Sequence, residues 1–497
     1  MHTSSSHYDA IIVGSGFGGA AVAYKLCLAG ARVALIERGG WVGRDEKDWD
    51  ARSILLDKRY KSESPIAVSL YGHDRPNEYP NETVGGASVF YGGASLRLRE
   101  KDFDRWPIDY SYLAPFYSEA EQLLNVHGTA GLDPSGPPRD TAYPFEPIAP
   151  TSPAERIQAA ARELGYQPFP IPLAINFHDE SRSTCILCTT CDGYPCRIEA
   201  KNDVTANLLK KAQEAGLEIF ASTIAARLSC VGESVRQVTC IDGASGTSSE
   251  LTADVFVAAG GALHSPALLL RSGLNAPYVG GCLMRHCNVI VTCVFPYQTN
   301  PEQTFHKQTC LTDLYESQRA ETGTAVGVIQ DIYTPDPVVM KAHAPVWGRL
   351  VIGITHRYMQ NLLCVAEDAA RQENRVELAE ETDRYGLPIT RVIHDYTEAD
   401  WARSNTLAQA AKGILQEAGG SFPYRYVIDT FSHGVGSVRM GTSEADSALD
   451  TNCRMHRMQN LYVVDGCFMP TSGGVNPSLT ITANALRVGE YLVGEQG

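Results

Sequence analysis

The stretch Asp9–Ala20, DAIIVGSGFGGA, decides the fold that we expect for this chain. Its apolar run predicts a short buried strand over Asp9–Gly14, and the residues Ser15–Gly19 predict a tight glycine turn. A helix is predicted over Ala20–Ala29, and the run RVALIE predicts a second strand over Arg32–Glu37. Together these elements predict a β–α–β unit with the G-x-G-x-x-G spacing of dinucleotide-binding proteins.

Each of the three motif glycines stands where a side chain would interfere with the turn, the ligand or the packing of the helix. Gly14 permits the tight turn, Gly16 lets the backbone approach a pyrophosphate, and Gly19 lets the helix pack on the strand. The helix begins there with free N–H groups and the positive end of its dipole, which attract phosphate. Glu37 follows the motif by about 20 residues, where a carboxylate accepts hydrogen bonds from the hydroxyls of an adenosine ribose. An acid at this position is compatible with both FAD and NAD.

Composition excludes several classes of protein. The chain has 497 residues, of which 44% are hydrophobic and 20% are charged, and this is typical of a globular protein with more than one domain. Its formal net charge of −15 argues against nucleic-acid binding, which usually needs a basic surface. We find no apolar run long enough to span a membrane and no signal peptide, so we expect a cytoplasmic protein.

Four of the 14 cysteines have the spacing of metal ligands. They are Cys185, Cys188, Cys191 and Cys196. The spacing is compatible with an iron–sulfur cluster or structural zinc, and also with free thiols or one disulfide that brace a loop. A chain without a signal peptide favours reduced thiols or metal ligands over a disulfide framework, and we expect this cluster to hold no redox metal.

The rest of the chain carries weaker signals. Residues 290–395 alternate loops with strand-like runs such as VIVTCVF (289–295) and RLVIGITH (349–356), which favours an antiparallel sheet. Residues 43–82 are interpreted as polar and irregular. A final helix is predicted over about Ser478–Val493.

Five segments, in order along the chain, carry a resemblance to a known family. They are GSGFGGA with ALIERG, VGGASVFYGGAS with DFDRWP, FVAAGGALHSPALLLRSG, HGVGSVRMG, and NLYVVDGCFMP with GGVNPSLTITANAL. Together they resemble the glucose–methanol–choline (GMC) family of FAD-dependent oxidoreductases, and the general pattern is similar to its bacterial branch of pyranose-oxidase-type sugar oxidases. The resemblance implies oxidation of a CH–OH group of an alcohol, such as a sugar, glycoside or polyol, to a carbonyl by hydride transfer to flavin.

The resemblance also implies the architecture. The fold class is α/β (α+β), with a Rossmann-like FAD-binding domain of the GMC type and a substrate-binding domain built on an antiparallel sheet. The FAD-binding domain is expected to comprise residues 1–120, 185–290 and 430–497. The substrate-binding domain is expected to comprise residues 121–184 and 291–429, with the active site between the two domains.

The family's catalytic pair corresponds to His433, in the H-x-x-G-x-x-R-M-G segment, and Asn476, in the N-P-x-x-T segment. Oxidising an alcohol removes a hydride from carbon and a proton from oxygen. The flavin takes the hydride, a neutral imidazole with its pKa near the operating pH takes the proton, and a neutral amide holds the hydroxyl without competing as a base. Two structural alternatives stay open: His433 as a core histidine at a glycine-rich turn, and Asn476 as the cap of a helix that begins with Pro477 and Ser478.

The resemblance further implies which residues hold FAD. They are Gly14, Ser15, Gly16, Phe17, Gly18, Gly19, Glu37, Arg38, Gly86, Ser88, Tyr91, Gly92, Ala225, Ala259, Gly260, Asp465, Gly466, Asn476, Pro477 and Ser478. Phe90 stands where some members tether FAD through a histidine, so we expect non-covalent FAD. Tyr91 stands where the family often has an asparagine near the flavin, and this change bears on how oxygen is handled.

Two rival functions stay open alongside the alcohol oxidoreductase. In the first, the chain is a flavin electron-transfer dehydrogenase subunit whose four clustered cysteines hold an iron–sulfur cluster. In the second, it is an NAD-dependent dehydrogenase. The expected partner is a small-molecule alcohol or sugar, and the sequence identifies no electron acceptor. His264 and His286 are interpreted as structural residues.

Overall fold

The computed structural model of the protein describes residues 7–496, with every side chain except those of His343, Trp347 and Gln496. The predicted β–α–β unit is present as strand β1 (His7–Val13), helix α1 (Phe17–Leu28) and strand β2 (Val33–Ile36). The two strands are parallel, with Ala10 opposite Val33. The helix begins three residues earlier than predicted, directly after Gly16, because the glycines continue the helix rather than precede it.

A seven-stranded sheet surrounds this unit. Its other strands are β6 (Glu218–Phe220), β7 (Thr223–Val231), β8 (Ser234–Asp242), β9 (Ser248–Ala258) and β17 (Leu461–Val463). The order is β6-β2-β1-β9-β8-β7, with β17 paired to β9. Strands β6, β2, β1, β9 and β17 are parallel, and β7 and β8 complete the sheet as an antiparallel pair. The carboxyl ends of the parallel strands therefore meet at one edge, where open α/β sheets bind their ligands.

Helices cover the faces of this sheet. Around α1 lie α2 (Tyr110–Leu123), α4 (Leu208–Glu214) and α10 (Ser478–Gln496), and α5 (Gly261–Arg271) follows β9. Strand β1 is buried on both sides through its apolar residues Ala10, Ile11 and Ile12. This double coverage explains why the strand has an unbroken apolar run instead of an alternating pattern.

The predicted antiparallel sheet is also present. It has six strands in the order β16-β10-β13-β12-β11-β5, which span β5 (Phe169–Pro170), β10 (Val289–Val294), β11 (Thr309–Leu311), β12 (Gly327–Ile332), β13 (Met359–Ala366) and β16 (Ser421–Val427). Helix α9 (Glu398–Glu417) packs on it, and α3 (Ser152–Glu163) packs on α9. Together these elements enclose a second hydrophobic core.

A third sheet corrects the prediction that residues 43–82 are irregular. This sheet has the order β14-β15-β3-β4, with β3 (Ile66–Leu70), β4 (His73–Glu78), β14 (Arg375–Thr382) and β15 (Pro388–His394). Strand β3 pairs in parallel with β15, so that Ile66 lies opposite Thr390. The prediction failed because the strand partner is far away in the sequence, and β4 itself is almost entirely exposed and polar.

The prediction of a strand at RLVIGITH (349–356) is wrong. Residues 349–355 belong to helix α8 (Val346–Thr355), which follows the short helices α6 (Arg319–Thr322) and α7 (Pro337–His343), and His356 begins a short 3-10 helix. Val346, Leu350 and Ile354 recur every four residues on one exposed face, and this spacing is helical even though the residues are rich in β-branched types. Within residues 7–496, no helix is both long enough and apolar enough to cross a bilayer.

Candidate active site

In the glycine turn at the end of β1, three glycines pack against backbone and the fourth does not. A Cβ on Gly14, which has φ of +105°, would lie 2.2 Å from the carbonyl oxygen of Ala259. A Cβ on Gly19 would lie 1.9 Å from the carbonyl oxygen of Gly14, and one on Gly18 would also meet backbone. At Gly16, by contrast, no described atom lies within 4 Å of the Cβ position. The glycine expected to face a pyrophosphate is therefore the one that faces free space.

Glu37, at the end of β2, is anchored beside this turn. Its Oε2 accepts hydrogen bonds from the backbone N–H (3.0 Å) and the hydroxyl (2.6 Å) of Ser15, and its Oε1 accepts one from the N–H of Gly39 (2.8 Å). A carboxylate has about four acceptor positions, so capacity remains for one further donor. Arg38 is engaged elsewhere, because its guanidinium pairs with Glu82 (3.0 Å) and Asp383 (3.5 Å).

The glycine loop after residue 84 lies directly on the turn. A Cβ on Gly86 would lie 3.3 Å from the Cα of Gly16, and the N–H of Gly85 donates to the Ser15 hydroxyl at 2.8 Å. Ser88 is fully buried, and its hydroxyl donates to the carbonyl oxygen of Gly85 at 2.7 Å. The structure therefore brings Gly86 to the predicted cofactor position, whereas the Ser88 side chain stabilises the loop itself.

Tyr91 and Gly92 connect this loop to other parts of the chain. The ring of Tyr91 lies edge-on to Phe17 at 5.1 Å, and its hydroxyl donates to the carbonyl oxygen of Asn202 at 2.8 Å.

A Cβ on Gly92 would lie 2.5 Å from the ammonium nitrogen of Lys307 and closer still to the carboxylate of Asp192. Gly92 thus leaves space for a partly buried ion pair, in which Lys307 Nζ is 2.7 Å from Asp192 Oδ1.

The cysteine cluster lies beneath the same loop. The buried ammonium of Lys201 donates to the carbonyl oxygens of Tyr91 (2.8 Å), Cys191 (3.1 Å) and Tyr194 (2.7 Å), which ties the cysteine segment to the loop. All 14 cysteines are free thiols, and burial raises the pKa of Cys185 to about 12. Across residues 7–496, no group of three or more His, Cys, Asp and Glu side chains is arranged to hold a metal ion. The contacts of Lys201 thus fix the position of the cysteine segment against the loop.

Asp465, just after β17, joins three elements at the sheet edge. Its Oδ2 accepts hydrogen bonds from the N–H of Gly261 (2.8 Å) and the hydroxyl of Ser265 (2.5 Å), both in α5. Its Oδ1 accepts one from the N–H of Cys467 at 2.8 Å, and the next carbonyl oxygen, that of Gly466, accepts one from Gly436 at 2.9 Å. Asp465 therefore holds the start of α5 against the segment that carries His433.

A polar atom without a partner lies near the start of α5. His264, interpreted from sequence as structural, follows Gly260 within the first turn, and its Nε2 is buried without a hydrogen bond to any residue that the structure describes. Burial lowers the pKa of His264 to about 3, so its ring is neutral. At the other end of α5, Arg271 donates a hydrogen bond of 3.4 Å to the carbonyl oxygen of Ala225. The unpartnered buried nitrogen of His264 leaves a polar atom available to a bound dinucleotide such as FAD.

His433 lies in the turn after β16 and contacts a second histidine. Its Nδ1 is 3.0 Å from the Nδ1 of His286, and the two rings are perpendicular. His286 Nε2 lies 3.1 Å from the carbonyl oxygen of Ser472 and 3.0 Å from that of Gly473. Burial, and secondarily the positive charge of nearby groups, lowers the pKa of His433 to about 3. This value lies well below the operating pH near which the sequence predicted the pKa of the base, so the His433 imidazole is neutral at pH 7 and one of its ring nitrogens carries no proton.

Asn476 precedes α10 and is oriented by a residue that sequence reasoning missed. Its Oδ1 accepts a hydrogen bond of 2.6 Å from the Nε2 of Gln330, and from no N–H of α10 among the described residues. Gln330 is fully buried in β12, and its own Oε1 has no partner within the described chain. With its oxygen occupied, Asn476 presents its NH₂ group as a donor. A glutamine inside the apolar strand GVIQDI was the available signal for Gln330.

The sheet edge, the open glycine turn and the buried neutral pair define a dinucleotide-binding protein of the α/β class. A sequence model of the GMC oxidoreductase family matches this chain twice, its N-terminal part at residues 8–288 and its C-terminal part at residues 370–485. The chain belongs to the GMC oxidoreductase family. The predicted family, fold class and enzyme class, an oxidoreductase acting on CH–OH groups, are confirmed.

Individual relatives agree with this assignment. The chain is 31% identical over 527 residues to paromamine 6'-oxidase of Streptomyces fradiae, which covers 98% of this chain and 92% of the relative. It is 31% identical over 524 residues to 6'''-hydroxyparomomycin C oxidase of Streptomyces lividus, with coverages of 98% and 91%. The crystal structure of pyridoxine 4-oxidase from Mesorbium loti is similar in fold, with a TM-score of 0.68, 21% identity and coverages of 97% and 98%.

Proposed function

We propose that this protein binds FAD non-covalently and oxidises a CH–OH group of a sugar or aminosugar, with His433 as the base and Asn476 as the group that holds the substrate hydroxyl. The observation that carries the proposal is the state of these two side chains. Among the residues that the structure describes, His433 is a neutral imidazole engaged through one nitrogen, and Asn476 has its oxygen occupied and its NH₂ group available.

The chemistry divides between the cofactor and the chain. When bound, FAD supplies the acceptor for the hydride that leaves the carbinol carbon. The His433 imidazole takes the hydroxyl proton, so that the O–H and C–H bonds break as the C=O bond forms. The Asn476 NH₂ group donates to the substrate oxygen, and a neutral amide can do this without competing for the proton.

Several features support FAD at the sheet edge without a covalent bond. The open N-terminus of α1 at Gly16 suits the pyrophosphate, and Glu37 suits the ribose. Phe90, at the tethering position, is buried and lies 6.1 Å from the ring of Tyr60. Phenylalanine has no nucleophilic atom with which to form a flavin bond.

The net charge of the chain and the names of its relatives support the proposed substrate class, and the free thiols support the proposed cellular location. Two relatives are named for oxidation of paromamine and of a hydroxyparomomycin. A net charge of −15 would favour a cationic aminosugar over an anionic sugar, because the field of the whole protein raises the local concentration of cations. The free thiols support a reducing, cytoplasmic location.

A screen followed by stopped-flow kinetics tests the proposal. Alcohols, sugars and aminosugars are screened with an artificial electron acceptor, with and without oxygen. Anaerobic flavin reduction is then followed in His433→Ala, where we expect a loss of roughly 10²–10⁴-fold at unchanged FAD content. The control is His73→Ala, because His73 is exposed on β4 and far in sequence from the pair. A His433→Ala rate within a few-fold of wild type would show that another group takes the proton.

A further inference from the structure

We propose that His286 is a positioning residue that fixes the tautomer of His433, so that Nδ1 of His433 carries the proton and Nε2 is the atom that accepts the substrate proton. This inference deepens the proposed function and rests on it only for the role of His433 in catalysis. It assigns an atom to the base and a task to a histidine interpreted from sequence as structural.

The argument begins at the far side of His286. Its Nε2 lies within hydrogen-bond distance of two carbonyl oxygens, those of Ser472 (3.1 Å) and Gly473 (3.0 Å). A carbonyl oxygen only accepts hydrogen bonds. The Nε2 of His286 must therefore carry a hydrogen, which it shares between the two oxygens.

The tautomer of His286 then determines that of His433. A neutral imidazole has one N–H group, so a hydrogen on Nε2 of His286 leaves its Nδ1 as an acceptor. His286 has no exposed surface, and burial lowers its pKa, which keeps the ring neutral. The hydrogen between the two Nδ1 atoms, 3.0 Å apart, must then belong to His433. The lone pair of His433 is left on Nε2.

Contacts on the backbone and ring of His286 hold its ring in one orientation, so the tautomer assignment does not depend on ring motion. Its backbone has φ of +59°, its N–H donates to Asp368 Oδ1 at 3.1 Å, and its carbonyl oxygen accepts from the hydroxyl of Tyr396 at 2.5 Å. Both ring nitrogens are engaged as well. His286 thus presents a fixed acceptor to His433, in the way that an orienting group fixes a catalytic histidine in other enzymes.

Two substitutions at His286 separate orientation of His433 from support of the backbone. Asparagine places its Oδ1 near the position of Nδ1, so His286→Asn keeps the acceptor for His433 and loses the donor to Ser472 and Gly473. Glutamine reaches the position of Nε2, so His286→Gln keeps that donor and loses the acceptor.

We expect His286→Gln to lower the rate constant of anaerobic flavin reduction by roughly 10²–10⁴-fold, because a wrong tautomer disables the base. The substrate Kd and the FAD content should stay near wild type. His286→Asn should retain most of the rate. The reverse order, or two variants within a few-fold of wild type, would overturn the proposal.

A measurement on the wild-type holoenzyme is independent of activity and of the folding of the two His286 variants. In protein labelled with ¹⁵N at histidine, the His433 signals, identified by their loss in His433→Ala, should show a protonated Nδ1 and an unprotonated Nε2 at neutral pH. A protonated Nε2 would overturn the inference even if His433 were the base. Failure of the proposed function would instead appear as an active His433→Ala enzyme.

Discussion

Replacing Gly16 with alanine should separate cofactor binding from folding. Gly16 has φ of −66° and ψ of −166°, a conformation that alanine adopts, and its Cβ would meet no described atom within 4 Å. The apoprotein should therefore accept the methyl group without strain. We expect its free energy of unfolding to rise by about 0.4–1 kcal/mol, since alanine restricts the unfolded chain more than glycine does.

The same methyl group projects into the space that we assign to the pyrophosphate. Overpacking of this kind costs about 1–3 kcal/mol. The Kd for FAD should accordingly increase roughly 5- to 150-fold. The assay is titration of the apoprotein with FAD, followed by the quenching of flavin fluorescence, together with thermal unfolding of the apoprotein followed by circular dichroism.

Gly19→Ala provides the matched control. Its Cβ would lie 1.9 Å from the carbonyl oxygen of Gly14, so the backbone must shift and the Tm of the apoprotein should fall. Each variant adds one methyl group to the wild-type protein, so only the surroundings of that group distinguish the two. A wild-type Kd for FAD in Gly16→Ala would refute the placement of the pyrophosphate at this turn.

Three further predictions concern the substrate, the flavin and the cysteines. Gln330→Leu leaves Oδ1 of Asn476 without its donor, so the substrate Kd from stopped-flow reduction should rise more than the rate constant falls; an unchanged Kd would argue against orientation of Asn476 by Gln330. Acid precipitation of the holoenzyme should release the flavin into the supernatant, because Phe90 offers no tether, and a yellow pellet would contradict non-covalent binding. Metal analysis should find neither iron nor zinc in stoichiometric amount, whereas stoichiometric iron with acid-labile sulfide would favour the electron-transfer subunit.

Local patterns allowed the sequence to predict the elements around the dinucleotide site. The β–α–β unit has its apolar run, glycines and acid within 30 residues, so each signal lies beside the element that it predicts. The final helix, predicted from Ser478, begins there in the structure. The antiparallel sheet followed from runs such as 289–295, which form β10.

Contacts between distant segments could not be predicted in this way. His286 and His433 are 147 positions apart, and Gln330 and Asn476 are 146 apart, so no local pattern joins them. Strand β3 has five residues and depends on β15 for its pairing. The helix α8 was misread because β-branched residues suggested a strand, although their spacing of four was helical.

The positions of β17 and α10 determine at which stage of synthesis the flavin site is complete. The motif glycines emerge from the ribosome first, yet Gly18 packs on the carbonyl group of Val464, and Asp465 secures the start of α5. Helix α1, which offers its N-terminus to phosphate, is covered by α10 from the opposite end of the chain. A nascent chain interrupted before these residues carries the complete motif but lacks the walls of the site. We therefore expect flavin to bind only once residues 461–496 have been synthesised, and a chain that ends before them to remain without flavin.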